Sequence, residues 1–312
     1  MPIERWRRHA RGWSQGLTST ARALLWAVVS GAIFCLLNAL MRYLAQQLHP
    51  MQIQFLRYLF GFIVLLPLVA RTGVSAFKPN NLAGQFWRGG VHTAGLVLWF
   101  LALTHIPLAD TTAIGFTGPI FIMLGAWWFL KEPMRWERWV ATAIGFGGVL
   151  IVLGPKMSGS GGGYHLLMLA SAPVFAASFL ITKMLTRTES TSVIVLWQAI
   201  TVTLFSVPAA LRVWQAPSAL QWAGFMLCGA LGSAGHYCLT RSFRVADISS
   251  TQSLKFLDLI WSAALGWALF GDVPAETTMI GGAVITAATL WAARREARRH
   301  LASAAADADT QP

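Results

Sequence analysis

The sequence predicts an all-α integral membrane protein of ten transmembrane helices, arranged as two inverted five-helix repeats. Three observations carry that expectation. The 312-residue chain is 55% hydrophobic and only 12% charged, with a mean hydropathy of +0.56, whereas a soluble globular domain carries roughly 25% charged residues. Apolar runs of about 20 residues, the length that crosses hydrocarbon, recur ten times. Finally, the first half of the chain can be laid over the second.

The apolar runs, bounded by charges or Pro/Gly clusters, place helices at 21–46, 52–70, 85–104, 109–130, 137–154, 164–184, 191–211, 219–240, 247–270 and 277–293. The basic start MPIERWRRHARGW followed by ALLWAVVSGAIFCLLNAL has the outline of a signal peptide. The run is too long for an h-region, holds Asn38 and Arg42 and shows no cleavage site, so it reads as the first membrane helix. The expected organisation is a basic segment 1–20, a first repeat 21–154, a Gly/Ser-rich external linker 155–163, a second repeat 164–293 and a tail 294–312. Of the 24 Lys and Arg, nineteen fall on the side of the termini and two, Lys156 and Arg212, on the other; Arg42, Arg57 and Lys255 lie within helices. The positive-inside rule then puts both termini in the cytoplasm of a cell that keeps this protein in its inner membrane.

Overlaying SGAIFCLLNALMRYLAQQLHPMQIQFLRYLF on SAPVFAASFLITKMLTRTESTSVIVLWQAI pairs Phe34 with Phe175, Arg42 with Lys183 and Arg57 with Gln198. Farther on, WFLALTHIPLADTT lies over HYCLTRSFRVADIS, which pairs Trp99 with His236, and the same alignment continued puts Lys255 on Gly118. Five crossings is an odd number, so the second copy must be inverted. The loop charges agree, since THIPLAD has no Lys or Arg while RSFRVAD has two. Inverted repeats build alternating-access transporters whose substrate site lies near the midplane between the halves.

With FLRYLF in the second helix, FTGPIFIMLGAWWFLKEP across the fourth and LKFLDLIWSAALGWALFGDVP across the ninth, the chain resembles the drug/metabolite transporter superfamily, EamA type, over residues 20 to 295. The resemblance implies a central cavity lined by helices of the two halves facing each other. It also implies a small-metabolite substrate, since members move amino acids, S-adenosylmethionine, riboflavin or opine-type metallophores. Asp272 stands where the family often has Glu.

Candidate site residues are the polar ones inside apolar runs. Burying a charge in the bilayer costs roughly 2.5–3.5 kcal/mol on insertion scales, so an intramembrane charge needs a compensating role or partner. Thr251, Lys255, Asp258 and Ser262 recur at helical spacing and should share one face. Lys255 and Asp258 read either as substrate contact and coupling, with Lys255 on an anionic group, or as a lock between helices. Arg57 and Gln198 read as cavity lining or as anchors. His92 and His236 read as proton relays or hydrogen-bonded core residues, Trp99 and Tyr237 as stacking rings, and Asn38, with Ser171, Ser178 and Thr182, as substrate contacts or bonds between helices. Asp110 and Asp247 read as helix caps. Glu132 and Asp272, at the unfavourable ends of their helices, read as gates or ion-pair partners.

Other classes lack support. The basic residues are scattered between apolar runs and form no aromatic-interleaved patch, so they point to the anionic headgroups of the cytoplasmic leaflet and not to nucleic acid. Cys35, Cys228 and Cys238 have neither disulfide nor metal spacing, and KMSGSGGGYH lacks the ending of a phosphate loop, so no metal, cofactor or ATP is expected. A membrane enzyme remains the distant alternative, since GSAGH at 232–236 only faintly echoes a nucleophile motif. The sequence is silent on oligomeric state. The expected activity is secondary transport of a small polar or amphiphilic metabolite, amino-acid-like or S-adenosylmethionine-like, with riboflavin-like and metallophore-like compounds as the alternative.

Overall fold

The computed structural model describes residues 19–45, 47–103, 105, 114–133, 135–153, 162–270 and 276–309. These form ten α-helices: α1 (Ser19–Leu44), α2 (Pro50–Thr72), α3 (Leu82–Leu103), α4 (Gly118–Leu130), α5 (Trp136–Leu153), α6 (Gly162–Leu185), α7 (Thr191–Arg212), α8 (Ala219–Val245), α9 (Leu257–Phe270) and α10 (Glu276–Asp309). Among the described residues, only α1, α2, α6 and α7, the first two of each half, are long and apolar enough to cross a membrane on length and composition alone. The others carry polar residues or are short, and α3 and α8 hold theirs against protein. α10 runs beyond the expected end at 293 to Asp309.

The helix pairings show the repeat directly. α1 packs on α8 as α6 packs on α3; α2 on α8 as α7 on α3; α4 on α6 as α9 on α1; and α2 meets α7 while α5 meets α10. Exchanging each helix with the one five places later returns the same set of pairs. Close approaches fix the register. A β-carbon on Gly89 would overlap the Thr201 side chain, and one on Gly229 would overlap the backbone of Phe60 and Gly61. Gly89 and Gly229 are 140 residues apart, whereas the sequence overlay used 137 for this region. The pairing of Trp99 with His236 is therefore one helical turn out of register.

Six apolar clusters make up the core of the described residues. Leu37, Leu44, Ile53, Leu56 and Phe225 join α1, α2 and α8. Ile122, Ala176, Leu180, Leu239 and Phe243 join α4, α6 and α8. Val149, Phe256 and Ile285 join α5 and α10 to the segment before α9. Outside, Trp87, Trp127, Trp128, Phe129 and Trp136 are exposed, as suits side chains that meet lipid and its interface.

Residues 248–256 correct the expected ninth helix of 247–270. They form a 3₁₀ helix, Ile248–Phe256, and α9 starts only at Leu257. The polar run ISSTQS explains it: Ser250 Oγ donates to Asp247 O, Thr251 Oγ1 to Ile248 O and Gln252 Nε2 to Ile248 O. Such local side-chain bonds compete with the i→i+4 ladder. At about 120° per residue, a four-residue step no longer returns to the same face, so the expected stripe from Thr251 to Lys255 does not form. The fourth helix, expected over 109–130, is described as α4 from Gly118.

Candidate functional site

At the centre of the bundle, α2, α3, α6, α7 and α8 each send polar side chains inward. Arg88 on α3 is fully buried and donates from Nε to Thr182 Oγ1, from Nη1 to Ile194 O (3.0 Å) and from Nη2 to Gln198 Oε1 (2.6 Å). Tyr58 Oη lies 2.9 Å from His92 Nε2 and 3.4 Å from His236 Nε2, and His92 Nδ1 lies 3.1 Å from Ser178 Oγ. Gln198 Nε2 is 3.4 Å from His236 Nε2. A buried network of this kind is tolerable only where its members satisfy one another.

Beside it, Arg57, Tyr58, Gly61, Val195, Gln198, Ala199, Gly232, Ser233 and His236 enclose about 10 Å³ of free space. That is room for a single water, where a metabolite site needs some hundreds of Å³. Arg57 and Gln198, equivalent in the two halves, face the same cavity where α2 meets α7. Arg57 also stacks on the Tyr58 ring at 4.9 Å.

A second charged spot lies between α1 and the segment leading into α9. Lys255 Nζ is 3.6 Å from Asp258 Oδ2. The carboxylate fits because α1 has Gly31 there; a β-carbon on Gly31 would overlap Asp258 Oδ1. Cys35 Sγ contacts Asp258 O and Ser262 Oγ. Phe34 separates this pair from the central network. Lys255 Nζ lies 5.7 Å from the Phe34 ring centre, and Phe34 meets the His236 ring edge-on at 5.0 Å.

Glu132, at the end of α4, clamps the 3₁₀ segment. It accepts bonds from Ile248 N (2.9 Å), Ser249 N (3.1 Å) and Ser249 Oγ (2.7 Å), so it caps a neighbouring element instead of suffering from its own helix dipole. Asp247 makes no side-chain cap bond, contrary to its reading as a cap; it lies 3.6 Å from Arg138 Nη1. Lys183 Nζ caps the end of α8 through Phe243 O and Ala246 O, both at 2.6 Å.

Comparison with known proteins decides the family. The profile of the EamA-like transporter family matches residues 21–154 and again 163–294. The chain belongs to the EamA-like transporter family. Similar EamA-type relatives include a riboflavin transporter of Rhizobium johnstonii, 34% identical over 88% of this chain and 92% of that protein. An S-adenosylmethionine uptake transporter of Rickettsia prowazekii is 29% identical over 89% and 94%, and a pseudopaline exporter of Pseudomonas aeruginosa is 27% identical over 87% and 95%. A solved crystal structure shares the fold with a TM-score of 0.76 over 86% of this chain and 96% of that one, at 17% identity.

Within this EamA-like bundle the sequence-predicted residues separate into groups. Arg57, Gln198, His92 and His236 converge on the centre. Lys255 and Asp258 form the adjacent pair, while buried Thr251 bonds its own backbone. Trp99 packs on Phe100 near Ala102 and Met168, away from the central network. Tyr237 is exposed and meets Trp26, and Asn38 is exposed on α1. Asp110 and Asp272 lie outside the described residues, as does the side chain of Arg42. Ser233 of GSAGH donates to Gly61 O at 3.1 Å, so its proton is not held by a base as in a nucleophile. The sequence reading missed Tyr58 and counted Arg88 and Arg138 only among the nineteen basic residues on the side of the termini, although both arginines are buried.

Proposed function

We propose that this protein is a secondary active transporter that carries a small polar or amphiphilic metabolite across the cytoplasmic membrane by alternating access. The observation behind it is the small cavity at the centre of the bundle, lined by Arg57 of one half and Gln198 of the other. A multi-pass membrane protein that places a charged and a polar side chain at the junction of two inverted repeats has there a site that either half can uncover by moving against the other. The relatives named for S-adenosylmethionine uptake, riboflavin transport and pseudopaline export support a metabolite of that size and mixed polarity. They include both importers and exporters, and the same fold serves either direction under different gradients.

In this reading both termini lie in the cytoplasm. Removing buried Arg88 and Arg138 from the count leaves an asymmetry of seventeen to two, still decisive under the positive-inside rule. The remaining basic residues meet anionic headgroups there. Lys255 and Asp258 couple substrate binding to helix movement. Opening the bundle at Phe34 brings their charges into contact with the cavity, where Asp258 can exchange a proton. Glu132 ties α4 to the 3₁₀ segment and acts as the latch at the cytoplasmic end. The protein carries out no covalent chemistry.

The test is uptake by proteoliposomes of labelled S-adenosylmethionine, riboflavin and neutral and acidic amino acids, with and without an imposed pH gradient. Saturable uptake of at least one, lost in Lys255→Met, is expected. Uptake unchanged in correctly inserted Lys255→Met protein would remove the pair from the mechanism.

A further inference from the structure

Hydrogen-bond logic in the central network fixes the protons of His236. Arginine has only donors, so the oxygen of the Gln198 amide must face Arg88, and the 2.6 Å contact of Oε1 with Nη2 has that sense. The amide nitrogen then points at His236 Nε2, 3.4 Å away. A primary amide nitrogen donates, so Nε2 carries the lone pair and the proton of the neutral ring sits on Nδ1. Tyr58 is compatible, because its hydroxyl can donate to Nε2 as well.

His236 Nδ1 is buried and has no hydrogen-bond partner among the described residues; the same holds for Arg57 Nε. His236 is 6% exposed, and both residues line the same small cavity. Two unmatched donors, one of them on a cationic side chain, thus belong to residues that line a space whose described wall holds no Asp or Glu. The remaining polar wall groups are engaged elsewhere: Ser233 donates to Gly61 O, Gln198 is held by Arg88, and Tyr58 is held between the histidines. Buried donors without acceptors are costly, and a charged donor pair is matched best by a carboxylate, which accepts only. Lys255, by contrast, already has Asp258 at 3.6 Å.

We propose that the cavity where α2 meets α7, widened as the two halves part, is a carboxylate subsite, in which Arg57 and His236 Nδ1 bind an acid group of the transported metabolite. This rests on the transport reading and deepens it. It assigns the anion to Arg57, not to Lys255, and makes the His236 tautomer, set through Gln198 by Arg88, a specificity element. The subsite prefers acids over their amides and over decarboxylated analogues.

The test is thermal stability of the purified protein in lipid nanodiscs, titrated with matched pairs: acetate and acetamide, benzoate and benzamide, methionine and methioninamide, and S-adenosylmethionine and its decarboxylated analogue. The expected result is that at least one acid raises the melting midpoint at concentrations tenfold or more below its partner. Arg57→Gln removes that difference. A second variant covers the case that Arg57→Gln does not fold. A β-carbon on Gly232 would lie 3.3 Å from Arg57 Nε, so Gly232→Ser supplies an internal acceptor with the charge retained. It too loses the acid preference. No acid outdoing its partner in wild type, or a preference surviving both variants, would overturn the proposal. The proteoliposome assay separates the two ideas. Uptake without acid preference leaves transport standing and the subsite refuted; acid preference without uptake does the reverse.

Discussion

Gln198→Glu is the most informative single change, because it holds the shape of the site and reverses its electrostatics. The new carboxylate accepts from Arg88 Nη2 where the amide oxygen did, at 2.6 Å in the native protein. At an effective dielectric constant of 20, opposite unit charges about 4 Å apart attract by about 4 kcal/mol. Burying the new carboxylate costs several kcal/mol, so the two effects nearly cancel and stability should stay within about 2 kcal/mol of wild type. Binding of an acid changes much more. A second carboxylate roughly 8 Å from the new one is repelled by about 2 kcal/mol, about thirtyfold in affinity. In addition, His236 Nε2 loses the amide donor facing it and takes up the proton itself, which withdraws the Nδ1 donor from the cavity. Thermal melts with and without the acid that stabilises wild type would measure both effects. A variant of native stability that still binds the acid at native concentration would refute the tautomer argument and the carboxylate subsite together.

Further outcomes follow from the other contacts. Glu132→Gln replaces one accepting oxygen by a donor facing Ser249 N and Oγ; a buried donor left unmatched costs about 1–3 kcal/mol. Hydrogen exchange at Ile248 and Ser249 should quicken at least fivefold, and unchanged exchange would show that Glu132 does not hold the segment. Lys255→Met alone leaves Asp258 without its partner and should lower stability by about 2–3 kcal/mol, whereas Lys255→Met with Asp258→Asn should recover most of that loss without recovering transport. Equal stability of the single and double variants would show that the pair does not interact.

Much of this was legible in the sequence, and the failures have physical causes. Ten apolar runs, five to a half with opposite loop charges, specify the bundle and its inversion, because only closed helices satisfy the backbone in lipid. The pairing of Arg57 with Gln198 already placed two polar groups at one depth. Arg88 was misread because position along a chain does not say which way a side chain points. Seven residues into α3, beside two glycines that admit α7 closely, it faces inward where a neighbour supplies acceptors. Tyr58 was lost in FLRYLF, where a tyrosine counts as apolar bulk. The Thr251 to Ser262 stripe assumed 3.6 residues per turn across a run whose Ser, Thr and Gln side chains bind their own carbonyls instead. Trp99 entered through an overlay one turn out of register, which only the contacts of Gly89 and Gly229 reveal. Asn38 and Tyr237 are polar or aromatic residues that simply face outward.

Alternating access requires the small cavity between the halves to open to each side in turn. The measurement that addresses this is labelling of Ser233→Cys, a cavity-lining position, in a background where Cys35, Cys228 and Cys238 are replaced by serine. A membrane-impermeant thiol reagent would be applied to oriented vesicles from one side and then from the other. Alternating access predicts labelling from both faces, with the bound substrate shifting the ratio between them. Labelling from one face alone, or from neither, would contradict it.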